Sequence, residues 1–423
     1  KKMKIQKIVN RFQKLHPREI DLSLVRIKNL LKKLGDPQDK IKVISVVGTN
    51  GKNSTIQAAF SILKEAKFKC NVYTSPHIKK INERFVFNNK ELNDDELSEL
   101  FEEVEKINDN NSITFYEILT ACYLFKAAQY PKNINLVESG LFFRFDASNV
   151  FTTNLASIIT AIGKDHLDWL PKDEQTIEKI VFEKTSSLLN SNIIISKQNT
   201  KKTMDCIKKN ISQNKSKKII FNEDFSYSIG ENNFFYYEDN YGGIKLPMPN
   251  IIGQFQLENI STAIATLRNL DLGINENNIK NGITKINNIG RLQEITSGKL
   301  KNLVENNKLI VDGTHNPLGA KVLNEYLKSL HCNKHIILGM MINKDHKDFM
   351  SYFNDISTLT TIDIPNQPNS IGGKELKKKL INFKNVQYKE SIIEAIKSIS
   401  TKKNDLILIT GSLYLAGEVL KIN

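Results

Sequence analysis

The chain has 423 residues, more than one hydrophobic core usually supports, so two domains are expected. Hydrophobic residues make up 40% and charged residues 25% of the sequence, as in ordinary globular proteins, and no apolar run is long enough to span a bilayer. The formal net charge is +14, but the lysines are dispersed and neither an RNA-binding aromatic motif nor a compact basic arm is present. We therefore expect anionic small-molecule partners, and neither a nucleic-acid nor a membrane partner.

The amino-terminal stretch is basic but is not typical of a signal peptide. Ile5, Ile8, Val9 and Phe12 lie at helical spacing, and the stretch lacks the continuous apolar segment and small-residue cleavage site of a secretory leader. The four cysteines are scattered and form no CxxC pair, which favours neither a zinc site nor a disulfide framework. A cytoplasmic protein is expected.

The first half of the chain alternates between strand and helix patterns. After a helix over residues 19–34, "KVISVVG" predicts a buried strand and "STIQAAFSILKEA" the following helix. "KCNVYTS" predicts a strand, "ELNDDELSELFEEVEKI" an acidic helix capped by Asn93, and "TFYEILTACYLFKAAQY" a more apolar helix. "INLVESG" and "LASIITAIG" read as further strands. This alternation predicts a largely parallel sheet.

The second half changes character and then returns to the same pattern. Residues 191–250 suggest a peripheral helix and hairpins, "ENISTAIATLRNL" returns to helix, and "NNIGRLQEI" has the appearance of a domain junction. A second β/α series follows in "KLIVDGTHNP", "HIILGMM", "STLTTIDI" and "DLILITGSLYLAGEVL". We expect two α/β domains, residues 1–292 and 293–423, with a cleft between them.

The stretch "VVGTNGKNSTIQA" has the pattern G-x-x-G-K, which is shorter than a full Walker motif. Spacing alone leaves a phosphate loop and an ordinary strand–turn–helix junction equally open. A phosphate loop is favoured because the stretch follows a strand, opens a helix and has Ser54 and Thr55 beyond the lysine. Lys52 would place a positive charge on the phosphates, and Asn53 is expected to tolerate a left-handed conformation.

Other polar side chains follow predicted strands, where open α/β sheets bind ligands. Ser75 lies in "YTSPHI", Glu138 ends "INLVE", His166 follows "AIGKD", and Asp312 and His315 lie in "VDGTHNP". Each has a structural alternative: a turn, a helix cap or a structural histidine.

The order of the motifs is more specific than any one of them. It runs GTNGK-x-ST, YTSPH, NERF, TFYE, E-x-GL-x-x-R-x-DASN, IG-x-DH, EKTS, GxFQxxN, GR, DGTHNP, GM-x-x-KD, GSLYLAGEV. From roughly Ile20 to Val419 the chain resembles the folylpolyglutamate synthase/dihydrofolate synthase family of the Mur ligase superfamily. The resemblance implies an α/β fold, with an N-terminal P-loop ATPase domain containing a parallel sheet, a smaller Rossmann-like C-terminal domain and ATP between the two.

The resemblance also implies a reaction. ATP would phosphorylate a pteroate or folate carboxylate, and the amine of L-glutamate would displace phosphate from the acyl phosphate. The substrates would be ATP, L-glutamate, dihydropteroate and folates, and "RFDASN" favours a bifunctional enzyme. A Mur-type ligase acting on a UDP-sugar peptide and a nucleotide-binding scaffold without turnover are the alternatives.

Individual roles carry over by motif. The catalytic set implied is Lys52, Glu138, His166, Lys184 and His315. ATP would be bound by Thr49, Asn50, Gly51, Lys52, Asn53, Ser54, Asn259, Arg291 and Asp312. Two Mg²⁺ ions would be held by Ser75, Glu138 and His166, and Lys184 matches a lysine that the family carbamylates. Substrate contacts would come from Arg84, Phe115 and Asp146 for the pterin, and from His315 and Ser412 for glutamate.

The chain departs from the family pattern in four places. Phe142 and Phe143 stand where two glycines are usual, and Asn53 replaces another glycine. Lys164 is charged where an uncharged residue is common, and "EKTSS" replaces "EKAG". The two phenylalanines bear most on which pteridine is accepted. A monomer is the family expectation.

Overall fold

The computed structural model describes residues 2–304 and 306–423, and this part of the chain forms two compact units. The amino-terminal unit comprises the chain up to His166, Leu170–Asn250 and Leu257–Ile286. The carboxyl-terminal unit comprises Leu167–Trp169, Ile251–Gln256 and the chain from Asn287 onward. The domain boundary at residue 292 remains a prediction.

Helices and strands alternate along most of the chain. The helices are α1 (Lys2–Gln13), α2 (Val25–Lys33), α3 (Lys52–Glu65), α4 (Asp94–Asn108), α5 (Phe115–Ala127), α6 (Ile177–Thr185), α7 (Lys201–Asn210), α8 (Phe255–Arg268), α9 (Glu276–Gly282), α10 (Lys299–Asn302), α11 (Pro317–Lys328), α12 (His346–Ser351), α13 (Gly373–Lys379), α14 (Ile392–Ser398) and α15 (Leu413–Ile422). The strands are β1 (Lys42–Val47), β2 (Cys70–Tyr73), β3 (Phe85–Phe87), β4 (Lys90–Glu91), β5 (Ile134–Glu138), β6 (Ala156–Ile159), β7 (Asn192–Ile195), β8 (Lys217–Ile220), β9 (Phe225–Ile229), β10 (Phe234–Asp239), β11 (Gly242–Pro247), β12 (Gln293–Glu294), β13 (Lys308–Val311), β14 (Lys334–Leu338), β15 (Thr358–Ile362), β16 (Val386–Lys389) and β17 (Leu406–Thr410).

The main sheet of the amino-terminal unit has eight strands in the order β4-β3-β2-β5-β1-β6-β7-β8. Strands β2, β5, β1, β6, β7 and β8 run parallel, and β3 and β4 add an antiparallel edge. The central strands are buried along nearly their whole length, as expected for a parallel sheet covered on both faces. Their carboxyl ends therefore form one edge, at which the loops after β1, β2, β5 and β6 meet.

A buried amide network crosses this sheet near the amino ends of its strands. Asn71 and Asn135 are register partners on β2 and β5, and Asn71 Nδ2 donates to Asn135 Oδ1 at 3.1 Å. The same oxygen accepts from Tyr123 Oη at 2.6 Å, Asn135 Nδ2 donates to Lys42 O, and Asn133 Nδ2 donates to Asn71 Oδ1. Because the amides bond to one another across strands, they specify the register of a sheet that is otherwise mostly Ile and Val.

The segment that the sequence marked as hairpins forms a three-stranded antiparallel sheet in the order β11-β10-β9. On β10, buried Phe235 and Tyr237 alternate with exposed Tyr236 and Glu238, which is the period of two that a half-buried strand requires.

The carboxyl-terminal unit contains a six-stranded sheet in the order β12-β13-β17-β14-β15-β16, parallel except for β12. Alternate residues of its central strands enter separate apolar clusters on the two faces, Leu408 in one and Ile407 and Ile409 in the other. The carboxyl ends of β13, β17 and β14 lie side by side at one edge.

The predicted α/β fold is confirmed. The acidic segment forms α4, and the predicted cap is present because Asn93 Oδ1 accepts from Glu96 N at 2.9 Å. No helix in residues 2–304 and 306–423 has the length and apolar character needed to cross a membrane.

Candidate active site

The predicted phosphate loop leaves β1 and enters α3 directly. The backbone N–H groups of Thr49 and Asn50 donate to Ala161 O at 2.9 and 3.1 Å, and Thr49 Oγ1 donates to Gly163 O at 3.0 Å. The loop is thus tied to the segment after β6, and the helix begins at Lys52. Backbone N–H groups in the first turn of a helix lack intrahelical acceptors, so the end of α3 is suited to bind phosphate oxygens.

Two positions of this loop require glycine. A Cβ at Gly48 would lie 1.8 Å from Thr160 Oγ1, and one at Gly51 would lie 2.4 Å from Asn259 Oδ1. Gly51 also has φ +84°, so the left-handed conformation belongs to this residue. The tolerance of Asn53 for such a conformation is not used here, because Asn53 lies within α3, and its Oδ1 accepts from Gln57 Nε2 at 3.1 Å.

Lys52 and the end of β5 form the polar centre of the amino-terminal unit. Lys52 Nζ donates to Ser139 O at 3.0 Å and to Gly140 O at 3.4 Å. The Ser139 hydroxyl is buried and has no hydrogen-bond partner among the described residues. A cation and a hydroxyl therefore lie together where β5 ends, close to the start of α3.

Glu138 is the last residue of β5 and is 5% exposed. Its Oε2 accepts from the backbone N–H of Ser75, the loop residue after β2, at 3.1 Å. Glu138 is also the register partner of Val46, two residues before Gly48. The structure therefore brings Ser75, Glu138 and the predicted phosphate loop to the same edge of the sheet.

Asp146 is a second buried carboxyl group near this edge. Its Oδ2 accepts from Ser148 N at 3.0 Å, from the Ser148 hydroxyl and from Tyr116 Oη at 3.4 Å. Burial raises the pKa of Asp146, although the Ser148 hydrogen bonds and the charge of Lys52 partly oppose this. Gly140 packs between these groups, since a Cβ there would lie 2.8 Å from Asp146 Oδ1 and 2.9 Å from the Tyr116 ring.

Tyr116, which the sequence analysis does not name, lies beside Asp146 at this edge. Phe115, the predicted pterin contact, is 7% exposed and packs in the core cluster with α1, α2, α4 and α5. Tyr116 is partly exposed and reaches Asp146 and the carbonyl of Glu138. Both residues lie in "TFYE". The rotation of α5 about its own axis decides which of them faces the core and which faces Asp146.

Arg84 is held by a neighbour from another motif. Its Nε donates to His77 Nδ1 at 2.9 Å, which leaves the hydrogen of a neutral His77 on Nε2. The NERF and YTSPH motifs are therefore joined by a side-chain contact.

Lys184 is buried near the carboxyl end of α6, with 3% exposure. Its Nζ donates to Gly48 O at 2.9 Å, and the ring of Phe142 covers it at 5.4 Å from the centroid. Burial, together with the charge of Lys52, lowers the pKa of Lys184 to about 7. The amine is thus hydrogen-bonded to the first residue of the predicted phosphate loop.

His166 lies beyond β6 with φ +55°, and its backbone N–H donates to Asp165 Oδ1 at 2.9 Å. Its Nε2 is 3.8 Å from Asp165 Oδ2, and its ring meets that of Phe142 edge-on with centroids 6.5 Å apart. Within the described residues, no group of three or more His, Cys, Asp or Glu side chains converges as a metal site would require.

In the carboxyl-terminal unit, Asp312 follows β13, and its carboxylate accepts hydrogen bonds from backbone N–H groups. Its Oδ2 accepts from Leu292 N and its Oδ1 from Thr314 N, both at 2.8 Å. Asp312 thus connects the GR motif to the DGTHNP motif. Arg291 Nε is buried, and no described residue serves as its hydrogen-bond acceptor.

His315 and Ser412 lie in adjacent loops of the same edge. His315 Nδ1 is 3.1 Å from Gly313 O, so Nδ1 carries the hydrogen. Ser412 is 1% exposed and caps α15, its Oγ accepting from Tyr414 N at 3.1 Å. Gly411 N donates to Thr314 O at 3.1 Å and joins the two loops.

The predicted residues therefore fall into two groups by unit. Those of the amino-terminal unit are Thr49, Asn50, Gly51, Lys52, Asn53, Ser54, Ser75, Arg84, Phe115, Glu138, Asp146, His166, Lys184 and Asn259. Those of the carboxyl-terminal unit are Arg291, Asp312, His315 and Ser412.

Comparisons with known proteins agree with this assembly of motifs. Residues 290–413 match the family described as Mur ligase, glutamate ligase domain. The dihydrofolate synthase/folylpolyglutamate synthase of Escherichia coli is 28% identical over 416 residues, covering 97% of this chain and 93% of the relative. The Bacillus subtilis protein of the same name is 29% identical over 417 residues, covering 94% of each chain.

A solved structure has the same fold. E. coli FolC in complex with DHPP and ADP superimposes with a TM-score of 0.85 at 26% identity, covering 99% of this chain and 97% of that one. The chain is therefore similar over nearly its whole length to proteins named dihydrofolate synthase/folylpolyglutamate synthase, and its residues 290–413 match a Mur ligase glutamate ligase domain.

Proposed function

We propose that this chain is an ATP-dependent ligase that joins L-glutamate to dihydropteroate and to folates, releasing ADP and phosphate. The observation that carries the proposal is the loop from Gly48 to Ser54, which enters α3 with Lys52 against the end of β5 that bears Glu138. Relatives named dihydrofolate synthase/folylpolyglutamate synthase, similar over nearly the whole chain, support the bifunctional form.

The reaction has two steps. A carboxylate oxygen of the pteroate or folate attacks the γ-phosphorus, and ADP leaves. The amine of glutamate then attacks the acyl carbon, phosphate leaves, and the amine loses a proton. Lys52 would neutralise charge on the phosphates in the first step, with the backbone of Thr49, Asn50, Gly51, Asn53 and Ser54 around them.

The donors at the β5 edge fit Mg²⁺ better than a transition metal. Mg²⁺ prefers oxygen ligands and is commonly held by one or two carboxylates, with waters and substrate phosphates completing its shell. Buried Glu138, fixed by Ser75 N–H, is such a carboxylate. We assign one ion to Ser75 and Glu138 and a second to Glu138 and His166. Such ions would polarise the γ-phosphate and offset its charge.

We retain a carbamylated Lys184, which the resemblance implies, as an expectation: burial and the charge of Lys52 lower the pKa of this amine to about 7, so a neutral nucleophile is present near neutral pH. Lys184 Nζ donates to Gly48 O and faces the ring of Phe142. No step of the proposed reaction is routed through a carbamate.

The remaining residues are assigned by motif and placement. Asn259, Arg291 and Asp312 would contact ATP, and His315 and Ser412 would contact glutamate. Arg84, Asp146 and Tyr116 would surround the pterin, with Tyr116 in preference to the buried Phe115. We retain the domain boundary between residues 292 and 293, a cytoplasmic location and a monomeric state as expectations.

The test is ADP release from the purified chain with Mg-ATP and L-glutamate, comparing added dihydropteroate with added tetrahydrofolate. Stimulation by both is expected for the bifunctional enzyme, and stimulation by one alone would assign a single activity. Bound ATP with no stimulation would favour the scaffold, and stimulation only by a UDP-sugar peptide would favour a Mur-type ligase.

A further inference from the structure

A buried ion pair connects α2 to the first turn of α5. Arg26 Nε donates to Glu117 Oε1 at 2.8 Å, and the side chain of Glu117 is only 4% exposed. The other carboxylate oxygen of Glu117 is buried and has no hydrogen-bond partner among the described residues. Burial of a carboxylate is unfavourable unless a cation or donors accompany it, so Arg26 offsets the cost of burying this charge.

The same oxygen of Glu117 also forms part of the cap of α5. Glu117 Oε1 accepts from Thr114 N at 3.0 Å, and Thr114 Oγ1 accepts from Glu117 N at 3.3 Å. These two bonds form a capping box, which fixes the backbone where the helix begins. Arg26 therefore contacts a side chain that helps to set how α5 starts, and a displacement of that side chain would move the first turn of the helix.

Arg26 is itself held by the irregular segment that precedes α2. Its Nη1 donates to Asp21 Oδ2 at 3.1 Å, and its Nη2 donates to Asp21 O. The guanidinium group is planar and rigid, so hydrogen bonds from three of its nitrogens fix its orientation as well as its position. Arg26 thus presents Nε to Glu117 from a fixed direction.

The residue directly before Glu117 is Tyr116, the aromatic residue assigned to the pterin. Successive residues of a helix are about 100° apart around its axis, so the direction of Glu117 also fixes the direction of Tyr116. With Glu117 against Arg26, Tyr116 Oη donates to Asp146 Oδ2 at 3.4 Å. The ring of Tyr116 stacks on that of Tyr73, with centroids 6.2 Å apart and an angle of 18° between the planes.

We propose that Arg26 is a positioning residue for pterin binding: its ion pair with Glu117 sets the rotation of the first turn of α5 and thereby holds Tyr116 beside Asp146. The inference rests on the proposed function in assigning Tyr116 and Asp146 to the pterin. Arg26 acts through Glu117 and the helix, and no contact with the substrate is assigned to it.

The test compares Arg26→Met with wild type, because methionine matches the arginine side chain in length as far as Nε but donates no hydrogen bond. Equilibrium dialysis measures the Kd for dihydropteroate, and ADP release gives the KM values for dihydropteroate and ATP. We expect Arg26→Met to raise the Kd and the KM for dihydropteroate by about 10-fold or more, because a small displacement of a binding group is costly. The KM for ATP should not change.

Arg11→Met is the matched control. It breaks the bidentate ion pair of Arg11 with Glu105, which joins α1 to α4 in the same unit with donor–acceptor distances of 2.9 and 2.8 Å. The Kd for dihydropteroate should not change in this variant. An equal increase in both arginine variants would show a general effect of losing an ion pair and would overturn the proposal.

Two further variants separate positioning from stability. Arg26→Met combined with Glu117→Met leaves no unpaired buried charge, so it should recover the unfolding temperature of wild type while the Kd stays raised. A Kd that returned to the wild-type value in this folded variant would show that the ion pair serves the fold alone. Adding Arg26→Met to Tyr116→Ala should not raise the Kd further, because the ring to be positioned is absent, and additive effects would overturn the proposal.

The two measurements distinguish this inference from the proposed function. A wild type that binds dihydropteroate without releasing ADP would contradict the ligase, and the comparison of Kd values would still decide the role of Arg26. An unchanged Kd in folded Arg26→Met, with ADP release by wild type, would overturn the inference and uphold the ligase.

Discussion

At the scale of single residues, Glu138 is the carboxylate on which the metal assignment depends. Glu138→Gln keeps an oxygen that can accept from Ser75 N–H but removes the negative charge. We expect ADP release to fall by about 100-fold or more, because charge stabilisation at the phosphates is lost.

Thermal unfolding of the Glu138→Gln protein is the control and should match wild type. Near-normal turnover by a folded variant would contradict a metal-binding role for Glu138.

Lys184 gives stability a dependence on pH. Its pKa is lowered to about 7 in the folded protein from an ordinary value of 10.5, so between these values the unfolded chain binds more protons. Stability therefore rises with pH through this window, as the cost of burying the charge is relieved. Lys184→Met lacks this contribution, so its stability relative to wild type should be greatest at pH 7 and below and should decrease towards pH 10.

Urea unfolding of both proteins at several pH values measures that difference. Because other groups titrate in both proteins, only the difference is informative. A difference that is constant from pH 7 to pH 10 would show that the buried amine carries no such penalty.

At the scale of elements, the Ser412 hydroxyl group caps α15 and is also the group assigned to glutamate binding. Ser412 Oγ caps α15 through Tyr414 N, and loss of a serine cap costs about 1 kcal/mol. Ser412→Ala should therefore lower stability by about 1 kcal/mol and should also raise the KM for glutamate more than that for ATP.

Ser391→Ala is the matched control, because Ser391 caps α14 through Glu394 N at 3.1 Å. It should lose similar stability without affecting the KM for glutamate. If both variants raise that KM equally, Ser412 acts only as a cap.

Helices and strands could be predicted from the sequence where a single local pattern determines them. The β/α alternation follows from apolar runs and breakers, and Asn93 caps α4 because a polar side chain precedes an acidic first turn. The rotation of α5 was not predictable: it depends on packing against α1, α2 and α4, which directs Phe115 to the core and Tyr116 to the site.

Side-chain contacts between residues far apart in the chain could not be predicted from the sequence either. Lys184 and Gly48 are separated by 136 positions and Arg144 and Glu183 by 39, and no local pattern pairs them. The proximity of the Phe142 ring to Lys184 Nζ likewise depends on the fold.

At the scale of the whole molecule, nucleotide binding should stabilise the folded chain. A ligand that binds only the folded state adds about 2.7 kcal/mol at 100 times its Kd. Mg-ATP should therefore raise the unfolding temperature of wild type, and Lys52→Met should lose most of this shift, because the loop loses its cation.

Lys172→Met removes an exposed lysine and is the matched control, expected to retain the shift. A full shift in Lys52→Met would contradict the assignment of the loop to ATP phosphates.

The amide network of the main sheet has a consequence for how this protein can change. Asn71, Asn133 and Asn135 form hydrogen bonds with one another, so replacing one of them leaves a buried donor or acceptor without a partner. Replacing a bonded pair together by apolar residues can leave the stability of the folded protein nearly unchanged. We therefore expect the amide residues at the amino ends of these strands to be substituted together and not one at a time. The loops at the carboxyl ends are joined in several places through backbone groups, since Thr49 N and Asn50 N donate to Ala161 O and Phe143 N and Arg144 N donate to Glu183 O, and these bonds do not depend on which side chains the loops carry.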